Sequence, residues 1–217
     1  MWLVAIIVVI GAWYLLAKEL PGMGSIHVAS TAQVQTLDIQ DSSANYDIVG
    51  KYPSFGVAPF DAVIKNAVDT AVMEIKNAAA PNPATYKNAL DIRFSNAYIG
   101  PDILSVELAI SQYTGGAQPL TIISGLNYDR VMGKVLTLND VLPMIGLTID
   151  QLAAQATEQL KAKLNGSIFP EGLSTNPENF SSFAVSADKV TFIFQPNQVT
   201  AYAAGPQEVS FPRTKGN

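Results

Sequence analysis

Reactive side chains are scarce in this chain: among 217 residues there is no cysteine and one histidine, His27. A thiolate nucleophile, a disulfide and a cysteine zinc site are therefore excluded. A Ser-His-Asp relay would rest on an imidazole in a stretch of small residues, with no third group to hold it. Metal binding falls to carboxylates, whose hardness suits calcium or magnesium. The nearest acidic group, Asp38, Asp41 and Asp47, lacks the Asp-x-Asp-x-Asp-Gly loop and reads as the solvated edges of strands. Glycoside hydrolysis needs only two acids about 5 to 9.5 Å apart, and Glu107 with Asp129 is a pair that neighbouring strands could bring together. Both also read as surface charge on strand faces. No G-x-S-x-G, Walker or G-x-G-x-x-G pattern occurs, and Gly115 with Gly116 is a turn. No catalytic residue, metal site or cofactor is expected.

The candidate partner-binding residues are Tyr202, Ala203, Ala204, Gly205 and Pro206. An exposed loop of this kind offers an aromatic contact at low entropic cost. The competing reading has Ala and Gly allowing close backbone packing while Tyr202 plugs the core. Asn165-Gly-Ser167 and Asn179-Phe-Ser181 match glycosylation sequons, a pattern frequent by chance, and no role is assigned to them.

These residues must be carried by something, and the first element is the apolar run Trp2 to Ala17, WLVAIIVVIGAWYLLA, which meets no charge before Lys18. As a helix it spans about 24 Å, and its flanks bring it close to the roughly 30 Å hydrocarbon core. Trp13 and Tyr14 suit the interfacial belt. The expectation is a transmembrane anchor over residues 1–24, a tether over 25–35 and a C-terminal domain outside the cytoplasmic membrane, in single-pass topology. A cleaved signal peptide competes, because Gly22, Met23 and Gly24 form a small-x-small site, but no basic segment precedes the run.

The rest is long enough for a sizeable core, and 48% hydrophobic residues exclude a disordered stalk. Thirteen basic against 18 acidic residues leave a net charge of -5 with no basic stripe, so no nucleic-acid partner is expected.

Alternation at Leu37 and Ile39, then at Tyr46 and Ile48, predicts a strand hairpin. From Pro59 the period lengthens: Phe60, Ile64, Val68, Val72 and Ile75 predict an amphipathic helix, stopped by the prolines of AAAPNPATY. ALDIRFSNAYI alternates imperfectly, which a bulge near Asn96 explains. ILSVELAISQY places Leu104, Val106, Leu108 and Ile110 on one face and Ser105, Glu107, Ala109 and Ser111 on the other. The TGGAQP loop turns it into LTIISGLNYDRVMGKVL as a hairpin. Asn139 or Asp140 caps a helical turn, and Thr148 caps a second long helix with the stripe Leu152, Ala156, Leu160 and Leu164. FAVSADKVTFIFQ forms a hairpin closed near Ala187 and Asp188, with Phe192 and Phe194 on one face, and a last short strand follows AYAAGP. The fold class is α+β, a mainly antiparallel sheet with two long amphipathic helices packed on it.

The succession LTLNDVLP, amphipathic helix and FAVSADKVTFIFQPNQVTAYAAGPQEVSFP resembles the extracytoplasmic domain of the lysozyme-binding anti-sigma factor type, domain-of-unknown-function family 3298, over residues 133–217. YDIVGKYPSFG with the following helix resembles the companion family 4163 over residues 36–132, a part that also precedes a deacetylase domain in some cell-wall enzymes. The resemblance implies a membrane-anchored binding or sensing module whose partner is a lysozyme-like protein or peptidoglycan, with no catalysis of its own. An accessory to a cell-wall hydrolase or deacetylase, using surface carboxylates, is the alternative. With the apolar run starting at residue 2, no sigma-binding segment precedes it, and direct sigma-factor control is not expected. With the chain ending at Asn217, deacetylase activity is not carried over.

Overall fold

The computed structural model describes residues 33–79 and 86–214. The run Trp2 to Ala17 lies outside them, and none of the described helices is long and apolar enough to cross a membrane.

The order of elements is β1 (Gln35–Ser42), β2 (Tyr46–Ser54), α1 (Ala58–Ala79), β3 (Asn88–Ile99), β4 (Ile103–Tyr113), β5 (Leu120–Asp129), β6 (Lys134–Val135), α2 (Leu138–Ile145), α3 (Ile149–Lys163), β7 (Phe183–Val185), β8 (Lys189–Phe194) and β9 (Gln207–Pro212). Strands β1 to β6 form one sheet in sequence order, and β7-β8-β9 form a second. The class is α+β, as expected, but the single sheet expected to carry both long helices is corrected to two, α1 packing on the large sheet and α3 against the small one. One pairing departs from antiparallel: β2 and β3 run parallel, because a 22-residue helix lies between them and carries the chain back before it re-enters the sheet.

Helix α1 covers one face of the large sheet. Phe60, Ile64, Val68 and Ile75 are buried as their spacing predicts, while Ala71 takes the place expected of the half-buried Val72. The ring of Phe60 lies 5.7 Å from that of Tyr128 and 5.0 Å from that of Phe55. Cross-strand register puts Leu90, Ile92, Leu104, Val106, Leu108, Leu126 and Tyr128 on this same face. The expected bulge is present between Ser95 and Tyr98, with Asn96 in the left-handed region at φ 51°.

A second core lies under the small sheet. Phe180, Phe183, Phe192, Phe194 and Phe211 interlock with Leu152, Ala156 and Leu160 of α3 and Val141 of α2, and Phe180 meets Phe192 and Phe194 edge-on at 5.9 and 5.7 Å. Helix α3 begins at Thr148 as expected, with Gln151 N–H donating to its hydroxyl and its own N–H donating to Gln151 Oε1. Helix α2 corrects the expected cap. Thr137 holds that position, and Asp140, three residues on, accepts from both the Thr137 N–H (2.9 Å) and its hydroxyl (2.7 Å). A carboxylate at the third helical position can reach back in this way, and one at the cap itself cannot.

Candidate functional site

The two sheets meet edge to face. The edge of β7 that does not pair with β8 abuts β4 and β5, where Asn127 Nδ2 donates to Phe183 O at 2.6 Å. Val185 N–H donates to Asn127 Oδ1 at 2.9 Å and to Ser105 Oγ at 3.2 Å, and the Ser105 hydroxyl donates to Asn127 Oδ1 at 2.7 Å. Gly125 N–H donates to Ser182 Oγ at 3.1 Å. A Cβ on Gly125 would stand 1.8 Å from Phe183 O, so only glycine lets the strands approach this closely.

Beside this joint is a notch of about 260 Å³ lined by Asn96, Tyr98, Ser105, Glu107, Lys189 and Glu208, with Thr191 on its wall. Strand β8 aims Val190, Phe192 and Phe194 into the second core, so Lys189 and Thr191 share the opposite face. Thr191 Oγ1 is hydrogen-bonded to Ser210 Oγ at 2.9 Å. Glu107, expected at the surface, is only 6% exposed because the small sheet covers the second face of β4. Its Oε2 accepts from Ser95 Oγ at 3.2 Å. Among the described residues, no lysine, arginine or histidine stands within 4.0 Å of the Glu107 or Glu208 carboxylate, and Lys189 has no acidic partner.

The proposed carboxylate pair does not come together. Glu107 is opposite Gly125 whereas Asp129 is opposite Ile103, which separates them by four residues, about 13 Å along the strand. Asp129 Oδ1 instead accepts from the N–H groups of Val131 and Met132, both at 2.8 Å, and closes the β5–β6 turn.

Asp38, Asp41 and Asp47 lie on the β1–β2 hairpin, each taken up by a lysine: Lys51, Lys76 at 2.5 Å and Lys87 at 3.1 Å respectively. The hydrogen bond from Lys76, opposed by slight desolvation and aided by its charge and by Tyr46, holds the Asp41 carboxyl below the ordinary range. The hydroxyl of Ser42, then Lys87, does the same for Asp47. No group of three or more metal-binding side chains converges among the described residues. A wider trough of about 590 Å³ crosses β1, β2 and β3, and its charges are already paired as Asp38 with Lys51 and Asp91 with Arg93.

Tyr202–Ala204 is a single 3-10 turn, followed by Gly205 at φ 70°. Tyr202 is 38% exposed and donates its hydroxyl to Pro119 O at 3.0 Å. It is not a core plug. The buried Gln207 side chain donates to Ala204 O at 2.9 Å, and Ala203, Ala204 and Pro206 are exposed beside Tyr202. The loop and the notch are separate candidate surfaces, and alternation along β4 could not show that Glu107 would be covered.

Known proteins resemble this chain along most of its length. MPB64, an immunogenic protein of Mycobacterium bovis, is 27% identical over 192 residues, which span 83% of this chain and 80% of that protein. MPT64, an immunogenic protein of Mycobacterium tuberculosis, gives the same figures. PdaC of Bacillus subtilis, a peptidoglycan-N-acetylmuramic acid deacetylase, is 22% identical over 189 residues, 84% of this chain and 40% of that enzyme. A DUF3298 family protein of Pseudomonas aeruginosa has the same fold, with a TM-score of 0.60 at 18% identity, covering 84% of this chain and 91% of that one. A member of the family from Bacteroides fragilis matches with a TM-score of 0.57 at 19% identity over the same shares. The stretch from the C-terminal cap of α2 through β9, residues 146–214, matches the family DUF3298, described as a protein of unknown function.

Proposed function

We propose that this chain is a binding or sensing module for a cell-envelope ligand, held at the outer side of the cytoplasmic membrane by Trp2 to Ala17, with peptidoglycan as its ligand. In this reading residues 36–132 are the part similar to family 4163 and residues 133–217 the part similar to family 3298. The observation that carries it is the notch between the sheets, where a covered carboxylate, a lysine and fixed hydroxyls line a recess suited to a polar fragment. The likeness to PdaC supports the choice of polymer, since that enzyme's name gives peptidoglycan as its substrate. Binding is favoured over catalysis because Glu107 and Asp129, the acids that neighbouring strands could have paired, are four residues apart in register, and the clustered aspartates are engaged by lysines.

The test is calorimetric titration of the full chain in mild detergent with soluble peptidoglycan fragments and, separately, with lysozyme, each assayed for turnover. Saturable fragment binding without turnover is expected. Binding to lysozyme alone would make the ligand a protein, and fragment turnover abolished by one Asp or Glu substitution would establish the hydrolase or deacetylase accessory.

A further inference from the structure

Seven acidic residues of the described structure, Asp38, Asp41, Asp47, Asp69, Asp91, Asp102 and Asp140, have a basic partner. Each lies where water could have solvated it in part. Glu107, the acid among the described residues that is nine-tenths buried, has only the hydroxyl of Ser95. This reverses the usual economy, in which covered charge is the charge that must be compensated. Glu107 lines a recess, so a ligand can reach it, and that recess carries two further charges without partners among the described residues, Lys189 and Glu208. On β8 Lys189 is two residues from Thr191, and Glu208 of β9 pairs with Ile193, two residues beyond it, so the lysine and the glutamate flank Thr191 from opposite ends.

Two carboxylates and one ammonium on the walls of one recess match a group bearing the reverse set. A bare divalent cation fits poorly, because it needs six or more oxygens and would meet the repulsion of Lys189. An anion such as phosphate would face two carboxylates. A zwitterion satisfies both signs. We propose that the notch binds an α-amino-acid head group, with the ammonium entering against Glu107 and Glu208 and the adjacent carboxylate pairing with Lys189 at the rim. Such a head, with ammonium and carboxylate on one carbon, ends the side chain of meso-diaminopimelate in peptidoglycan stem peptides. This inference rests on the envelope-ligand reading above and specifies which part of the polymer is held.

The experiment titrates the full chain in detergent with three probes: a muramyl tripeptide ending in meso-diaminopimelate, the same tripeptide acetylated on the side-chain amine, and the disaccharide without peptide. The free tripeptide is expected to bind, and acetylation, which removes the ammonium, to weaken it about tenfold or more. Glu107→Gln, which keeps size and the contact with Ser95, should weaken the free tripeptide by a similar factor and leave the acetylated one unchanged. Lys189→Ala, at an exposed position that cannot unfold the protein, should give a smaller loss that shrinks as salt rises. Equal affinities for free and acetylated tripeptide, or variants that bind as the parent does, would overturn the notch assignment. Disaccharide binding that persists in that case leaves the envelope reading standing, whereas no binding of any of the three probes ends both.

Discussion

Gly125 and Asn127 decide how near two sheets can lie. Replacing Gly125 with alanine puts a methyl group where Phe183 O already is. Backbone cannot yield as a flexible side chain does, so a loss of about 3 kcal/mol is expected, read as a lower urea midpoint at unchanged slope. Asn127→Ala removes three hydrogen bonds, strands Phe183 O and the Ser105 hydroxyl in a buried joint, and leaves the Val185 N–H with Ser105 Oγ alone. Its expected cost is likewise about 3 kcal/mol, since each buried group left unpaired costs about 1 to 3. Tyr202→Ala is the contrasting case. With the ring 38% exposed and one hydroxyl contact to Pro119, it should cost about 1 kcal/mol or less. A change in ligand binding by that variant would then report contact with the ligand.

At the level of elements, the start of α2 concentrates a cap, a carboxylate and a lysine. Burial raises the affinity of the Asp140 carboxyl for its proton, but Lys134 at 2.5 Å and the two donors of Thr137 outweigh it and hold it below the ordinary 3.8. A carboxyl whose folded value lies under its unfolded one contributes stability above about pH 4, and that contribution is lost as pH falls through the depressed folded value. Thr137→Ala should therefore cost about 1 kcal/mol near neutrality, and the gap between parent and variant should narrow at pH 3. Thermal melts of both proteins at pH 7 and pH 3 measure it. Much of this layer was legible in the residues. Periodicity placed α1 and α3, the slip in ALDIRFSNAYI placed the bulge, and the polar loop with Gly115 and Gly116 placed the β4–β5 turn, because each is a local preference of a few neighbours. What stayed hidden depends on distant partners. The strict alternation of β4 is the same whether Ser105 and Glu107 face water or a second sheet, and nothing near Glu107 announces that β7 arrives from more than 70 residues later to cover it. Likewise, Tyr202 has the chemistry of a core ring, and nothing near it in the chain announces that its hydroxyl goes to Pro119 O, 83 residues earlier, with the ring left partly outside.

For the molecule as a whole, residues 32–217 form one compact unit, and the small sheet owes its place to the large one. Residues 133–217 expressed alone keep α3 and β7–β9 but lose Ser105, Gly125 and Asn127, against which β7 rests. That fragment is expected to lack cooperative unfolding and to show broadened amide resonances, whereas residues 32–217 melt in one transition. Among the described residues Arg213 makes the side-chain hydrogen bond of longest sequence span: just after β9, it reaches Asp102 across 111 positions and donates to Ser186 O as well. During synthesis, β3, β4 and β5 can pair early while the strand edge that covers their second face is still unmade. Until β7 arrives with the small sheet, Glu107 and the β4–β5 face stand open to water and to neighbouring chains, so closure is a late, slow event whose rate is set by chain connectivity more than by the strength of any contact.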